Sequence, residues 1–345
     1  MFYLKYRPKK INDLDNSRVK DQLTKILKTP NFPHAYLFVG QKGTGKTSSA
    51  RIFAKALNCL NNDFSKNKNN IEPCNICDNC LAIDSGNFND VIEMDAASNR
   101  GVDEIKDLIK ETSFLPMSGR FRVFIIDEAH MITNEGFNAL LKTLEEPPKT
   151  AIFILATTNL EKVPKTIVSR CLKVNFGKAL KKDIVDMLKK IGKKENLKYD
   201  DNFYQLIARH SDYSFRDAAK ILEEAAIQKF KTIEELENYL GLRGKNNLLE
   251  IITKKDPKKT FAWIEEFSQG GGNFKNLIEE LLEELRVQLL IKKGVNFDEE
   301  ASIDLSFLEI TRLIKLLLQA YQEMKITPID SLPLEIALAE FYNEK

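Results

Sequence analysis

The sequence has no long apolar run. None of its 345 residues lies in a stretch approaching the roughly 18 apolar residues of a membrane-spanning helix. The first residues, 1–8, also lack the apolar core of a secretory signal peptide. A net charge of +2 is too small to indicate a nucleic-acid-binding protein by itself. With 43% hydrophobic and 30% charged residues, the chain is expected to be a soluble, cytoplasmic protein of two or three domains, without a membrane partner.

Cysteines are also few, and their positions are informative. Four of the five lie close together: Cys59, Cys74, Cys77 and Cys80. In a cytoplasmic chain such clustering favours a metal over disulfides. Four thiolates fill the tetrahedral shell of Zn²⁺ and leave no open position, so the predicted zinc is structural. The segment has few apolar residues, and metal binding would supply much of its folding free energy. Unlinked thiols and an iron–sulfur cluster are the alternatives, and Cys171 is not a predicted ligand.

Apolar runs alternate with helical patterns in the first half of the chain. Four runs have the composition of buried strands: 35–39, 90–94, 121–126 and 151–156. Because both faces of each run are apolar, they predict a parallel sheet that is covered on both sides. Helical patterns lie between the runs at 46–57, 102–112 and 134–145. This alternation predicts a doubly wound α/β domain.

Strand patterns stop after about residue 178, and helical patterns follow. The first group predicts a small helical domain: 181–193, 201–209, 215–229 and 233–240. The second group predicts another: 248–252, 257–268, 274–292, 305–324 and 332–342. We place the boundary between them at 241–246 and predict loops at 270–272 and 295–302. The expected domains are therefore 1–178, with a zinc module at 59–85, then 179–242 and 243–345.

The first apolar run leads into a glycine-rich turn and then a helix. The turn is Gly40-Gln41-Lys42-Gly43-Thr44-Gly45-Lys46-Thr47, followed by Ser48. Glycine, four residues and Gly-Lys-Thr in this setting form the P-loop pattern, in which backbone N–H groups surround phosphate oxygens. Lys46 would contact the β and γ phosphates, Thr47 would offer its hydroxyl to Mg²⁺, and the helix would add its N-terminal dipole. The pattern predicts ATP and Mg²⁺ as cofactors.

A second apolar run ends in two acids, Asp127 and Glu128. Downstream of a P-loop, this arrangement predicts that Asp127 holds the Mg²⁺ shell. Glu128 would then orient and polarise the water that attacks the γ-phosphate. We interpret His130, which follows, as a capping or packing residue, with a functional role as the alternative.

With these motifs, the sequence resembles the bacterial DNA polymerase III gamma/tau clamp-loader ATPases, which are of the AAA+ kind. The matching segments, besides the P-loop and the four cysteines, are residues 6–8, 34–38, 126–131, 137–148, 155–159, 169–171 and 214–218. The resemblance is dense to about residue 240. It implies an AAA+ domain with a parallel sheet and a zinc insert, then a helical lid domain and an all-helical collar domain that forms oligomers.

The resemblance also implies roles for individual residues. Arg170 matches the family's arginine finger and would reach the ATP of a neighbouring subunit. Thr158 matches sensor 1, close to the γ-phosphate, and Arg216 matches sensor 2 in the lid. Three consecutive residues match the segment near the adenine and ribose: Tyr6, Arg7 and Pro8.

One segment departs from the family pattern. Where the family usually has a Gly-Gln pair, this chain has Asp15-Asn16-Ser17-Arg18. The residues that contact adenine are therefore not assigned, whereas the departure does not affect the assignment of the phosphate contacts. The sequence also ends where the family's third domain ends. We expect either the short form of the subunit or a piece of the long form.

The resemblance implies an ATP hydrolase within the DNA polymerase III holoenzyme, at the nucleoid. ATP binding would arrange several subunits to open the sliding clamp, and hydrolysis would release the clamp closed on DNA. The implied partners are delta, delta-prime, further gamma/tau copies, the sliding clamp and the phosphate backbone of primer–template DNA. One alternative is a non-hydrolysing scaffold, against which Lys46, Thr47, Asp127 and Glu128 argue. The other is a helicase, which would need a second domain with its own strands.

Overall fold

The structure, a computed structural model, describes residues 1–29, 31–62, 70–240, 245–295 and 303–343. The chain divides into two compact units, Met1–Phe230 and Lys231–Lys345. The three-domain division expected above stays a prediction. Parts of three predicted features lie outside the described residues: 63–69 of the zinc module, 241–244 of the domain boundary and 296–302 of a loop.

The first unit contains a five-stranded sheet and the helices around it. Its strands are β1 (Ala35–Gly40), β2 (Val91–Asp95), β3 (Arg122–Asp127), β4 (Ala151–Thr157) and β5 (Leu172–Gly177). The helices before β4 are α1 (Phe2–Lys5), α2 (Ser17–Lys28), α3 (Lys46–Asn58), α4 (Asp78–Ser85), α5 (Val102–Thr112) and α6 (Asn134–Glu145). The later ones are α7 (Lys165–Val168), α8 (Lys181–Lys194), α9 (Asp201–Arg209) and α10 (Phe215–Gln228).

The strands lie in the order β2-β3-β4-β1-β5, and every neighbouring pair is parallel. Successive residues of β1 point to opposite faces, so Tyr36 and Phe38 pack with α2 and α3 while Leu37 packs with α5 and α6. The predicted parallel sheet with helices on both faces is therefore confirmed. Because β1, β3 and β4 are neighbours, the residues that follow their carboxyl ends meet at one edge of the sheet.

Both edges of the sheet differ from the prediction. We expected 90–94 to be buried on both faces, but β2 pairs with β3 alone, and Glu93 and Asp95 are exposed. The other edge strand, β5, was not predicted. In β5 the buried residues Val174 and Phe176 alternate with exposed ones, because one face is open to solvent. A search for continuous apolar runs misses such a strand.

The second unit is described as helices, as predicted. They are α11 (Ile233–Tyr239), α12 (Lys245–Thr253), α13 (Pro257–Gln269), α14 (Phe274–Ile291), α15 (Phe307–Glu323) and α16 (Leu332–Asn343). Buried side chains of α12 to α16 form one hydrophobic cluster, which includes Ile264, Leu281, Leu313 and Leu338. None of the helices described in either unit combines the length and the apolar character that crossing a membrane requires.

Candidate nucleotide-binding site

The P-loop connects β1 to α3, and two of its glycines have backbone angles that other residues rarely adopt. Gly43 has φ +78° and Gly45, the N-cap of α3, has φ +95°. At Gly43 a Cβ atom would lie 1.9 Å from Ser214 Oγ, and the Gly43 carbonyl accepts a hydrogen bond from Phe215 N at 3.1 Å. The N-terminus of α10 therefore packs directly on the phosphate-binding loop, and only glycine permits this approach.

Lys46 is held inside the loop that it follows. Its Nζ donates to the carbonyl oxygens of Gly40 at 2.8 Å and Gln41 at 2.9 Å, and the residue is buried. Burial lowers the pKa of Lys46, while Glu128 and Asp127 counteract this effect. A polyanion at the mouth of the loop would stabilise the charged form further. The ammonium group is thus fixed where a phosphate ligand would need it.

Thr47 and Asp127 bring two oxygen ligands together beneath the loop. Thr47 Oγ1 donates to Asp127 Oδ2 at 2.6 Å, and Asp127 Oδ1 accepts from Glu128 N at 3.0 Å. Mg²⁺ prefers oxygen ligands of this kind and commonly takes one or two from protein and the rest from phosphates and water. These two residues therefore fit the predicted Mg²⁺ site.

Glu128 has an unusual backbone. Its φ of +46° lies in the left-handed region, which costs a residue other than glycine roughly 1–2 kcal/mol. Its carboxylate oxygen Oε2 accepts a hydrogen bond from Thr158 Oγ1 at 3.1 Å and lies 3.5 Å from His130 Nδ1. Such strain is typical of sites at which a side chain must be aimed.

A cavity of about 220 Å³ opens beside these groups. The sequence-predicted residues that line it are Tyr6, Arg7, Pro8, Lys42, Gly43, Thr44, Gly45, Lys46, Thr47, Ser48, Asp127, Glu128 and Arg216. Gly40 and Gln41 support Lys46 from behind, and Thr158 reaches the cavity through Glu128. Arg170 is not among the lining residues.

The cavity brings several cations together. Arg7 Nε donates to Ser48 Oγ at 2.8 Å, which places the arginine beside the P-loop helix. Burial lowers the pKa of Arg7, and the neighbouring cations Arg51 and Arg216 lower it further. Arg7, Lys46 and Arg216 line the cavity and make it suited to a ligand with several negative charges.

Leu14, Met187 and Ile191 give another part of the wall an apolar surface, which suits a flat base. No sequence motif marks these residues: Leu14 directly precedes the segment 15–18 that departs from the family pattern, and Met187 and Ile191 lie on α8. Asn16 of that segment is structural. Its Oδ1 caps α2 at Val19 N (3.2 Å), and its Nδ2 donates to Phe176 O (3.1 Å).

Asp15 lines the same cavity, and its burial makes stability depend on pH. Burial raises the pKa of Asp15 to about 6, although Lys190 at 3.3 Å counteracts the rise. Between pH 4 and 6 the folded chain then holds more protons than the unfolded chain, so stability falls as pH rises. This fall in the free energy of unfolding amounts to at most roughly 3 kcal/mol, and we expect Asp15→Asn to remove it.

Urea unfolding of the nucleotide-free chain at pH 4.5 and 7 measures the effect. Asp21→Asn, which changes an exposed aspartate on α2, is the control and should unfold like the unmodified chain at both values. An Asp15→Asn chain with the same pH dependence as this control would show that the carboxyl group titrates normally.

Arg170 follows α7 and lies away from the cavity of its own chain. Its guanidinium forms an ion pair with Glu145 and donates to Thr166 O at 2.7 Å, and its side chain is 33% exposed. The geometry leaves it accessible to another molecule. Its role as an arginine finger stays a prediction.

The four clustered cysteines meet at one point beyond the C-terminus of α3. Their Sγ atoms all lie within 4.8 Å of one another, and Cys59 and Cys80 are buried. Burial raises the pKa of the Cys74 thiol, but backbone N–H groups of Ile76 and Cys77 and the thiols of Cys77 and Cys59 lower it to about 6. A tetrahedral shell of four thiolates fits this donor set, so the residues suit the predicted zinc.

A buried lysine connects the cysteine cluster to the P-loop helix. Lys55 of α3 is 1% exposed at its side chain, and its Nζ donates to Asn75 Oδ1 at 2.8 Å and Asp84 Oδ1 at 2.7 Å. Since Cys59 directly follows α3, the helix that begins at the phosphate loop ends at the proposed metal.

Comparisons with known proteins agree with this arrangement. A family model described as "DNA polymerase III, delta subunit" matches residues 15–179. DNA polymerase III subunit gamma of Buchnera aphidicola subsp. Baizongia pistaciae is 34% identical, over 98% of this chain and 95% of that protein. The chain belongs to the DNA polymerase III gamma/tau family. Subunit tau of Bacillus subtilis is 37% identical over 98% of this chain, which spans 62% of that relative's length.

A solved structure supports the fold of this gamma/tau family member. The RuvB Holliday junction branch migration motor of Thermotoga maritima superposes with a TM-score of 0.50 at 17% identity, over 72% of this chain and 79% of that one. At this identity the likeness concerns the fold alone. It supports the predicted architecture of an α/β domain followed by helices.

Proposed function

We propose that this gamma/tau chain is the ATP-driven motor subunit of a clamp loader, which hydrolyses ATP to load a sliding clamp onto primer–template DNA. The observation that carries the proposal is the convergence of Lys46, Thr47, Asp127 and Glu128 on one cavity. Family membership supplies the biological setting. The proposed partners are delta and delta-prime subunits, further copies of this chain, the clamp and the DNA backbone.

The residues divide the proposed work between them. Lys46 and the P-loop amides bind the phosphates of ATP, and Thr47 with Asp127 would hold Mg²⁺, which would neutralise charge on the transferred phosphoryl group. Glu128 receives a proton from the attacking water. Arg216 lies two residues after Ser214, which packs on Gly43, so α10 connects phosphate binding to the movement of the lid.

ATPase measurements test the proposal. We expect weak hydrolysis by the chain alone and strong stimulation when partner subunits, clamp and primer–template DNA are all present. Failure of every combination to hydrolyse ATP would contradict the motor function and favour a scaffold. Stimulation by single-stranded DNA alone, with strand separation, would favour a helicase.

Glu128→Gln should retain ATP binding and lose about 10²- to 10⁴-fold in stimulated hydrolysis, because an amide cannot accept the proton of the attacking water. Binding of a fluorescent ATP analogue and steady-state turnover measure the two effects. Glu135→Gln is the matched control, since Glu135 is an exposed residue in the first turn of α6. Equal activity of the two variants would exclude Glu128 as the base.

A further inference from the structure

His130 lies against the carboxylate of Glu128 and belongs to the short 3-10 turn Ala129–Met131. Its side chain is only 12% exposed. Its Nδ1 faces two oxygens, Glu128 Oε2 at 3.5 Å and Thr157 Oγ1 at 3.2 Å. A ring nitrogen between two such oxygens is either an N–H donor or a bare lone pair, and the neighbours decide which.

The surroundings of Thr157 favour one position of the proton. Thr157 is fully buried, and its hydroxyl donates to Asn159 O at 3.0 Å while it accepts from Asn159 N at 3.0 Å. A hydroxyl has one proton, so Thr157 Oγ1 has only acceptor capacity left for His130. Glu128, when ionised, also accepts only. Both oxygens therefore favour an N–H group on Nδ1 of His130. A lone pair on Nδ1 would instead face the lone pairs of the two oxygens.

We propose that His130 is a positioning residue that presents its Nδ1–H to Oε2 of Glu128. With the hydroxyl of Thr158, it holds this oxygen, which leaves Oε1 as the atom that meets the attacking water. The inference rests on the proposed function, because it concerns the orientation of the carboxylate of Glu128, the proposed base.

Thr158 makes the role of His130 specific. The Thr158 hydroxyl donates its single proton to Glu128 Oε2 at 3.1 Å. If Thr158 donated this proton to a γ-phosphate instead, its hydrogen bond to Glu128 would be lost. His130 continues to hold Oε2 in that state. Its contribution is therefore expected in the hydrolytic step and not in ATP binding.

Two substitutions separate positioning from packing. His130→Asn retains an amide N–H near the place of Nδ1, whereas His130→Gln moves the amide toward the place of Nε2. We expect Gln to lower stimulated kcat by about 10-fold or more, the loss expected for one hydrogen bond to a charged group, and Asn to restore most of it. KM for ATP and binding of an ATP analogue should stay unchanged. Equal losses in both variants would overturn the proposal.

The tautomer can be measured without any activity. The chain contains three histidines, so ¹⁵N NMR of histidine-labelled protein at pH 8 gives few signals, and His130→Asn identifies those of His130. We expect the Nδ1–H tautomer. An Nε2–H tautomer in an active protein would overturn this inference alone. An Nδ1–H tautomer in a protein that never hydrolyses ATP would instead contradict the proposed function.

Discussion

Arg170→Ala is expected to abolish stimulated hydrolysis in the assembled complex, with a loss of about 10³- to 10⁵-fold, while each chain still binds ATP. The physical reason is the position of the side chain. Arg170 lies outside its own nucleotide cavity, near the end of α7, and is paired with Glu145. A guanidinium placed there can stabilise the transition state of a neighbouring subunit but not that of its own.

Mixed complexes provide the sharpest measurement. An Arg170→Ala subunit has an intact P-loop, and a Lys46→Ala subunit has an intact arginine. If the finger acts in trans, complexes that contain both variants should regain part of the activity that each lacks alone. Arg170→Lys should restore little, because an ammonium group lacks the planar, bidentate geometry of a guanidinium.

Lys165→Ala is the matched control, since Lys165 is an exposed cation on the same short helix. It should leave hydrolysis unchanged. If Lys165→Ala also lowered hydrolysis, positive charge near α7 would be needed for assembly of the complex and not for catalysis. If Arg170→Ala weakened ATP binding as much as it weakened hydrolysis, the trans role would be wrong.

Local patterns predicted a phosphate site for a physical reason. The P-loop pattern spans only eight residues, and Lys46 is held by its near neighbours in sequence, Gly40 and Gln41. Asp127 could be added because it ends a buried strand and parallel strands bring their carboxyl ends together. The structure indeed places Asp127 Oδ2 2.6 Å from Thr47 Oγ1.

Features that depend on distant parts of the chain were less predictable. The polar alternation of β5 conceals it from a search for buried strands, and Asp15 meets Lys190 of α8 only after folding. His130 is the clearest case. Its sequence context fits packing equally well, and only the positions of Glu128 and Thr157 indicate where its proton lies.

The cysteine cluster leads to the second large effect. We expect one zinc per chain, and Cys80→Ser should release it and unfold the module around α4. Zinc-finger peptides bind zinc with about 10–16 kcal/mol, so release of the metal should remove much of the free energy that folds the module. Because Cys59 directly follows α3 and Lys55 ties that helix to Asp84, the damage should extend into the P-loop helix.

Metal analysis and hydrogen exchange of α3 measure both parts of this prediction. Cys171→Ser is the control, because Cys171 lies outside the cluster of four thiols, and it should keep its zinc and its exchange protection. Iron in the purified protein, or no metal at all, would contradict the zinc assignment. Loss of zinc from Cys80→Ser with unchanged protection of α3 would instead show that the module folds independently. In that case the connection through Lys55 would contribute little to the phosphate site.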